Sequence, residues 1–309
     1  MIKTKQRALR EHEGADNLSD WITIRKGGDE MSFLVVMDSC GELTEDMKES
    51  GHFASVPFLI DIAGSHFVDN ERFDMKRFLR LVKESPTVAR TACPSPERFR
   101  KLFSPEAERI YIVTISAELS GSYNSAKLAQ DMEDEDHPGR KIHVFNSKSA
   151  SIGETLIARK IWACEKEGYS FEHTIETVEA YIESQVTWFV LETLDTLRKN
   201  GRLSNFKAAL ATALKIKPIC SSTPEGAIQQ AGQARGINKA LVRMVEMAAE
   251  AAGHAEQKEI AVSYVECPER GQMVLDALKE RIPAKNYILL PASGLTATYA
   301  NEGGIIVVV

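Results

Sequence analysis

The chain has 309 residues, 43% of them hydrophobic and 27% charged, enough for about two domains with an ample core and no disulfide or metal staple. Its net charge of -6 argues against a general nucleic-acid surface, which needs a basic face, but leaves room for a local anion site. No apolar run reaches the roughly 18 residues of a membrane-spanning helix, and no long apolar core follows the first basic residues as in a secretory signal. The five cysteines, Cys40, Cys93, Cys164, Cys220 and Cys267, are odd in number and far apart, with no CxxC. Disulfides and zinc are therefore not expected, and a reducing cytoplasm is the expected location.

Residues 1–30 hold six basic and six acidic residues, and Gly27-Gly28 separates them from the first apolar run. They read as an N-terminal extension, either with one short helix around 5–13 or as a loosely packed tail. Strand-like and helix-like patterns then alternate. Apolar runs at 33–37, 53–62, 109–116 and 141–146 predict strands. Helix-period segments at 74–84, 95–103, 123–133 and 153–167 follow several of them. Repeated strand-then-helix order predicts parallel βαβ units, and YIVTIS is apolar almost throughout, as a strand covered on both faces should be.

The pattern changes after a helix at 171–185 and a strand at 186–192. Short helices at 195–200 and 205–214 come next. The runs 216–222 and 227–234 flank Thr223-Pro224-Glu225-Gly226, a hairpin signal that brings in antiparallel pairing. Residues 237–252 place apolar side chains at 237, 241, 244, 248 and 251, on one helix face. Segments at 258–265, 272–282, 286–291 and 303–309 predict a β-α-β-β ending. The expected fold class is α/β, with a doubly wound, mainly parallel-sheet domain at 31–185. An α+β domain with a mixed sheet follows at 186–309.

Three corners between strand and helix could carry chemistry. ISAELSGSYNSA at 115–126 follows a buried-looking strand, where open α/β sheets bind ligands. Gly121 there permits close backbone approach, and Ser120 and Ser122 offer hydroxyls beside the free amides of a helix start. That suits a carboxylate or phosphate, although spacing alone favours ordinary serine capping. Asp38-Ser39-Cys40-Gly41 follows FLVVM, and Asp38 either caps the next helix or holds a serine in place. In TACPSPERF at 91–99, Ser95 before Pro96 fits an N-cap with proline at N1, while Thr91 has no evident local task.

Arg202, in the turn KNGRLS, and Arg235, at the end of the hairpin, each suit bidentate oxyanion binding or simple solvation. There is no GxSxG, no GxxxxGK[ST], no GxGxxG and no HxH or HExxH, so nucleophile-elbow, P-loop, dinucleotide and metal chemistry lack their motifs.

Taken in order, these segments resemble the DegV family of bacterial fatty-acid-binding proteins. Asp38-Ser39 is similar to the family's opening Asp-Ser-Thr. TACPSPERF resembles its Thr-Ser-Gln-Pro-Ser segment, and ISAELSGSYNSA its Ser-Gly-Thr-Tyr corner. VFNSKSASIGETLIA and LETLDTLRKNGRLS, followed by KIKPI, resemble two further signatures. The match spans roughly residues 33–309.

The resemblance implies one long-chain fatty acid in a buried tunnel between two domains, presented to a separate fatty-acid kinase that makes acyl phosphate. The protein itself would be no enzyme and would need no cofactor. Nucleic acid and an integral membrane segment would be absent, and transient contact with a membrane surface is compatible with such a role. Thr91 and Ser120 would hydrogen-bond the carboxylate, Gly121 and Ser122 would complete that corner, and Asp38 and Ser39 would line it. Arg202 and Arg235 would meet the phosphoryl group or the kinase. Each buried methylene contributes about 0.8 kcal/mol, so the walls need only be apolar. Phe58, Ile60 and Phe189 are candidates for wall or core.

Three departures stand out. Ala92 replaces a hydroxyl-bearing residue, Asn146 an aspartate, and Tyr299 the histidine near the head group. Tyrosine donates a hydrogen bond but brings no cation, and Glu302 is close in sequence. The Tyr299 replacement and the extension at 1–30 favour a lipid sensor without a kinase partner as the second reading. A small-molecule enzyme using the serine corner is the third.

Overall fold

The computed structural model describes residues 32–203, 216–253 and 255–309. The extension 1–30 and the helix expected at 205–214 lie outside the described residues. The first half runs β1 (Phe33–Asp38), α1 (Glu45–Ser50), β2 (Phe53–Val56), β3 (Leu59–Ile62), β4 (Ser65–Val68), α2 (Met75–Glu84) and β5 (Arg90–Ala92). It continues with α3 (Pro96–Arg100), β6 (Arg109–Thr114), α4 (Ser122–Asp136), β7 (Lys141–Asn146), α5 (Ile152–Lys166) and α6 (Phe171–Glu183).

Strands β2, β1, β6 and β7 form a wholly parallel sheet in that order. The alternation along β1 explains its place at the centre. Leu34 and Val36 join the core under α3 and α4, with Phe99, Ala126 and Ala129. Val35 and Met37 join the core under α5 and α6, with Ile157, Ile161 and Val178. Both faces are covered, so the strand is apolar at every position but its last. The order reverses at β1, which leaves a crevice beyond the carboxyl ends of β1 and β6.

The run 53–62 is not one strand, as its composition suggests. Pro57 lacks an amide donor and interrupts it, so β2 ends at Val56 and β3 starts a separate sheet. That sheet has the order β4-β3-β5, pairs antiparallel throughout, and shares a core with α2 through Ile60, Phe67 and Phe78. The short elements β4, β5 and α1 have no sequence period long enough to announce them.

The second half runs β8 (Thr187–Val190), α7 (Asp195–Lys199), β9 (Ile216–Ser222), β10 (Ile228–Arg235), α8 (Ile237–Ala252) and β11 (Glu259–Tyr264). It ends with α9 (Pro268–Lys279), β12 (Asn286–Pro291), α10 (Gly294–Ala300) and β13 (Ile305–Val308). Its sheet has the order β10-β9-β8-β13-β11-β12, in which only β11 and β12 pair parallel. The expected β-α-β-β ending is corrected, because α10 stands between the last two strands. Seven residues with a glycine and two threonines show no helical stripe. Ser293 starts the helix by accepting from the Thr296 amide. In β13, Ile305 and Val307 face the core under α8 and α9, while Ile306 and Val308 face the opposite side.

Candidate functional site

Between the two halves lies a mainly apolar cavity with about 100 Å³ of enclosed space, narrower than the usual small-molecule site. One wall comes from the loops that follow β1, β6 and β7, with Cys40, Ile115 and Ala150. The facing wall is the inner side of the six-stranded sheet, with Phe189, Leu191, Ile228 and Ile306. Helix α10 closes one flank with Leu295, Tyr299 and Ala300. The cavity thus sits where the crevice of the parallel sheet meets a second apolar surface. The hairpin between β9 and β10 closes it further. Ser116 Oγ donates to the Gly226 carbonyl at 2.9 Å, which seats the turn on the first half of the chain.

A polar corner drawn from four distant segments borders this lining, to which Leu119, Arg202 and Tyr299 belong and Thr91 and Ser120 do not. The hydroxyls of Thr91 and Tyr299 are 2.8 Å apart. Arg202 stands over the Tyr299 ring at 5.2 Å from its centroid. Its guanidinium donates from Nε to the Leu119 carbonyl at 3.2 Å and from Nη1 to the Asn200 carbonyl at 2.8 Å. Leu119 immediately precedes Ser120, so the start of α4 belongs to the same corner. The arrangement offers hydroxyl donors and one fixed guanidinium to an anionic head, with apolar walls behind it.

The residues singled out by sequence fall into three groups. Thr91, Arg202 and Tyr299 converge as just described. Ser120 stands half-buried at the start of α4, and its Oγ accepts from the Ser122 amide at 3.3 Å. Gly121 is the N-cap at φ −73°, and a Cβ there would make only ordinary contact with Cys93, so the position does not demand glycine.

Asp38, Ser39 and Ser122 are buried in the frame rather than on the lining. Asp38 caps no following helix, as one sequence reading had it. Its carboxylate accepts from the amides of Cys40 at 3.1 Å and Ile115 at 3.0 Å and from Ser122 Oγ at 2.6 Å. Ser39 donates to Asp69 at 2.8 Å. Arg235 is exposed at the end of β10, away from the cavity lining. Phe189 is a wall residue, whereas Phe58 and Ile60 are core. Ser95 takes the N-cap position with Pro96 at N1 but makes no side-chain cap bond.

The sequence reading missed a set of buried acids at the junction of the halves. Asp69 accepts from the Gly294 and Leu295 amides, each at 2.8 Å, and so fixes the start of α10. Glu42 accepts from Ser151 Oγ at 2.7 Å, Ser263 Oγ at 3.3 Å and the Ser293 amide at 3.2 Å. Burial pushes the Glu42 carboxyl up to about 7 and that of Asp69 up to about 6, against the pull of these donors. Asp38, Cys40 and Glu154 bring their ligand atoms within 4.8 Å of one another, which makes them a candidate cation-holding group. All five cysteines are free, and no described helix is long and apolar enough to cross a membrane.

Known proteins match this arrangement along most of its length. The model of the DegV family fits residues 32–309. A DegV domain-containing protein of Streptococcus pneumoniae R6 is 34% identical over 254 residues, which cover 82% of this chain and 89% of the relative. Among solved structures, a DegV family protein of Ruminococcus gnavus, described with vaccenic acid, superposes with a TM-score of 0.89 at 49% identity. That match covers 91% of this chain and all of the other. The Streptococcus pneumoniae fatty acid kinase (Fak) B3 protein, loaded with linoleic acid, gives a TM-score of 0.80 at 32% identity, covering 90% of this chain and 99% of that one. The family match over nearly all described residues, the fold and these relatives lead to one conclusion: the chain belongs to the DegV family.

Proposed function

We propose that the protein binds a single long-chain fatty acid in the cavity between its two halves and presents the carboxylate to a separate fatty-acid kinase. The observation that carries this reading is the joining of an apolar cavity to the Thr91–Tyr299–Arg202 corner. A monoanion with a long alkyl tail matches both parts. An apolar tail needs only walls, at about 0.8 kcal/mol per buried methylene, and a carboxylate needs two or three donors. Solved relatives loaded with vaccenic, heptadecanoic and linoleic acids support the ligand class. Thr91, Tyr299 and the serine corner at Ser120 hold the carboxylate, with Ser122, Asp38 and Ser39 fixing that corner from behind. Arg202 meets the phosphoryl group or the kinase. The fold divides into two domains near residue 185, with the cavity at their junction.

Titration of delipidated protein with oleate and palmitate tests binding, and a kinase-coupled assay tests presentation. Saturable uptake and acyl phosphate that depends on Arg202 are expected. Failure to take up either acid contradicts the reading. A sensor without a kinase partner is favoured by one observation: Tyr299 already bonds Thr91 and lies under Arg202, where it brings no charge to a phosphoryl group. Saturable uptake without acyl phosphate selects that second reading.

A further inference from the structure

The Thr91–Tyr299 hydroxyl pair joins a strand to a helix, and neither element places the pair alone. Thr91 lies in β5, which pairs with β3, and β3 pairs in turn with β4. Phe67 of β4 and Thr91 of β5 are both in register with Ile60 of β3, so the two outer strands are fixed relative to each other. Asp69 directly follows Val68, the last residue of β4, and its amide donates to the Phe58 carbonyl at 3.0 Å. It therefore extends the same sheet that carries Thr91. Tyr299 belongs to α10, a helix of only 7 residues that begins at Gly294.

Asp69 is buried, and both of its carboxylate oxygens hold the start of that helix. Oδ1 accepts from the Gly294 amide at 2.8 Å, and Oδ2 accepts from the Leu295 amide and from Ser39 Oγ, each at 2.8 Å. The approach is close enough to demand glycine: a Cβ on Gly294 would lie 2.5 Å from Asp69 Oδ1 and 2.7 Å from the Phe73 ring. Other bonds at this helix start run elsewhere. The Ser293 amide donates to Glu42 at 3.2 Å and Ser293 Oγ to the Cys40 carbonyl at 3.2 Å. Both tie the helix to the loop after β1, which carries neither Thr91 nor Tyr299. A helix this short moves as one piece, so a shift at Gly294 reaches Tyr299, about 7.5 Å along the axis. A hydroxyl pair weakens once its oxygens part beyond about 3 Å.

We infer that Asp69 is the positioning residue of the head-group corner: its carboxylate sets α10 against the β4-β3-β5 sheet so that the Tyr299 and Thr91 hydroxyls are presented together to one ligand carboxylate. The inference rests on the reading of the cavity as a fatty-acid site. Asp69 itself is absent from the cavity lining, so it acts through the pair and touches no ligand there. Asparagine keeps the size of Asp69 but replaces one accepting oxygen with an amino group that only donates. An amide in the first turn of α10, or the Ser39 hydroxyl, then loses its acceptor, and the helix start moves off the sheet.

The test is a double-mutant cycle in the full chain with Asp69→Asn and Tyr299→Phe, read by oleate affinity and by NMR of carboxyl-labelled oleate. Asp69→Asn is expected to weaken oleate about fivefold, much as Tyr299→Phe does. In the Tyr299→Phe background the same change should cost less than about twofold, because the hydroxyl it positions is already gone. The carboxyl resonance of bound oleate should move in Asp69→Asn, although Asp69 does not line the cavity. Gly294→Ala keeps the Asp69 carboxylate but forces it away from the helix start, and should reproduce both effects. An equal loss from Asp69→Asn in both backgrounds would overturn the inference, since Asp69 would then support the fold and not the pair. An unmoved carboxyl resonance would overturn it too. If Asp69→Asn does not fold, Gly294→Ala decides on the same two readouts. Failure of the wild type to take up oleate removes the lipid reading and this inference with it, whereas uptake with an additive cycle removes this inference alone.

Discussion

Tyr299 and Ser120 stand at the same corner, yet substitution should separate their roles. Tyr299→Phe keeps the ring beneath Arg202 and removes only the hydroxyl facing Thr91. Fatty-acid affinity should fall by about 1 kcal/mol, read by displacement of a fluorescent fatty acid, with little change in thermal stability. Ser120→Ala removes the acceptor for the Ser122 amide, which should lower stability by about 1 kcal/mol. If Ser120 also holds the carboxylate, affinity drops by about 1–3 kcal/mol as well. A stability loss with unchanged affinity would leave Ser120 a helix-start residue only. From sequence, the serine corner was visible because Gly-Ser-Tyr at a strand-to-helix junction has few uses. Thr91 and Tyr299 were each assigned to the head group only through family resemblance, and their pairing was not foreseen, since 208 residues separate the two.

Among the elements, the hairpin of β9 and β10 shows how one turn closes the cavity. Gly226 sits at φ +91°, and a Cβ there would lie 2.4 Å from Ser116 Oγ and 2.7 Å from Lys148 Cα. Gly226→Ala combines backbone strain with a clash across the junction and should destabilise the protein by about 1–3 kcal/mol. Ligand should also dissociate faster, which stopped-flow measurement of fluorescent fatty acid release checks. The hairpin was legible in Thr-Pro-Glu-Gly, and the parallel sheet in its long apolar runs. Helix α10 was not, for want of length, although it carries Leu295, Tyr299 and Ala300 to the cavity. Its position depends on Asp69, which reaches it from 225 residues away. The junction acids share that obscurity. Glu154 reads as an ordinary first-turn acid until the loop after β1 covers it.

For the whole molecule, the buried acids set an uncommon pH dependence. Glu42 is raised from 4.5 to about 7 and Asp69 from 3.8 to about 6, so the folded state binds protons that the unfolded chain has lost. Their stabilising contribution is complete below the ordinary carboxylate range and is lost as pH rises through about 6 to 7. For Glu42 alone the change is about 3 kcal/mol. Urea unfolding at about pH 5 and about pH 8 should show the lower stability at the higher pH, and Glu42→Gln should reduce the difference. Rising stability over that interval would contradict the account. Net charge alone gives no hint of this, because it does not say which acids are buried. The charge likewise leaves carboxylate binding open, since the hydroxyls of Thr91, Tyr299 and Ser120 need no basic surface. The central claim is that the cavity holds one long-chain fatty acid. Native mass spectrometry of gently purified protein tests it most directly. A mass increment equal to a single fatty acid, exchanged when excess oleate is added, is expected. A chain that carries no lipid and gains none on incubation with oleate or palmitate would contradict it.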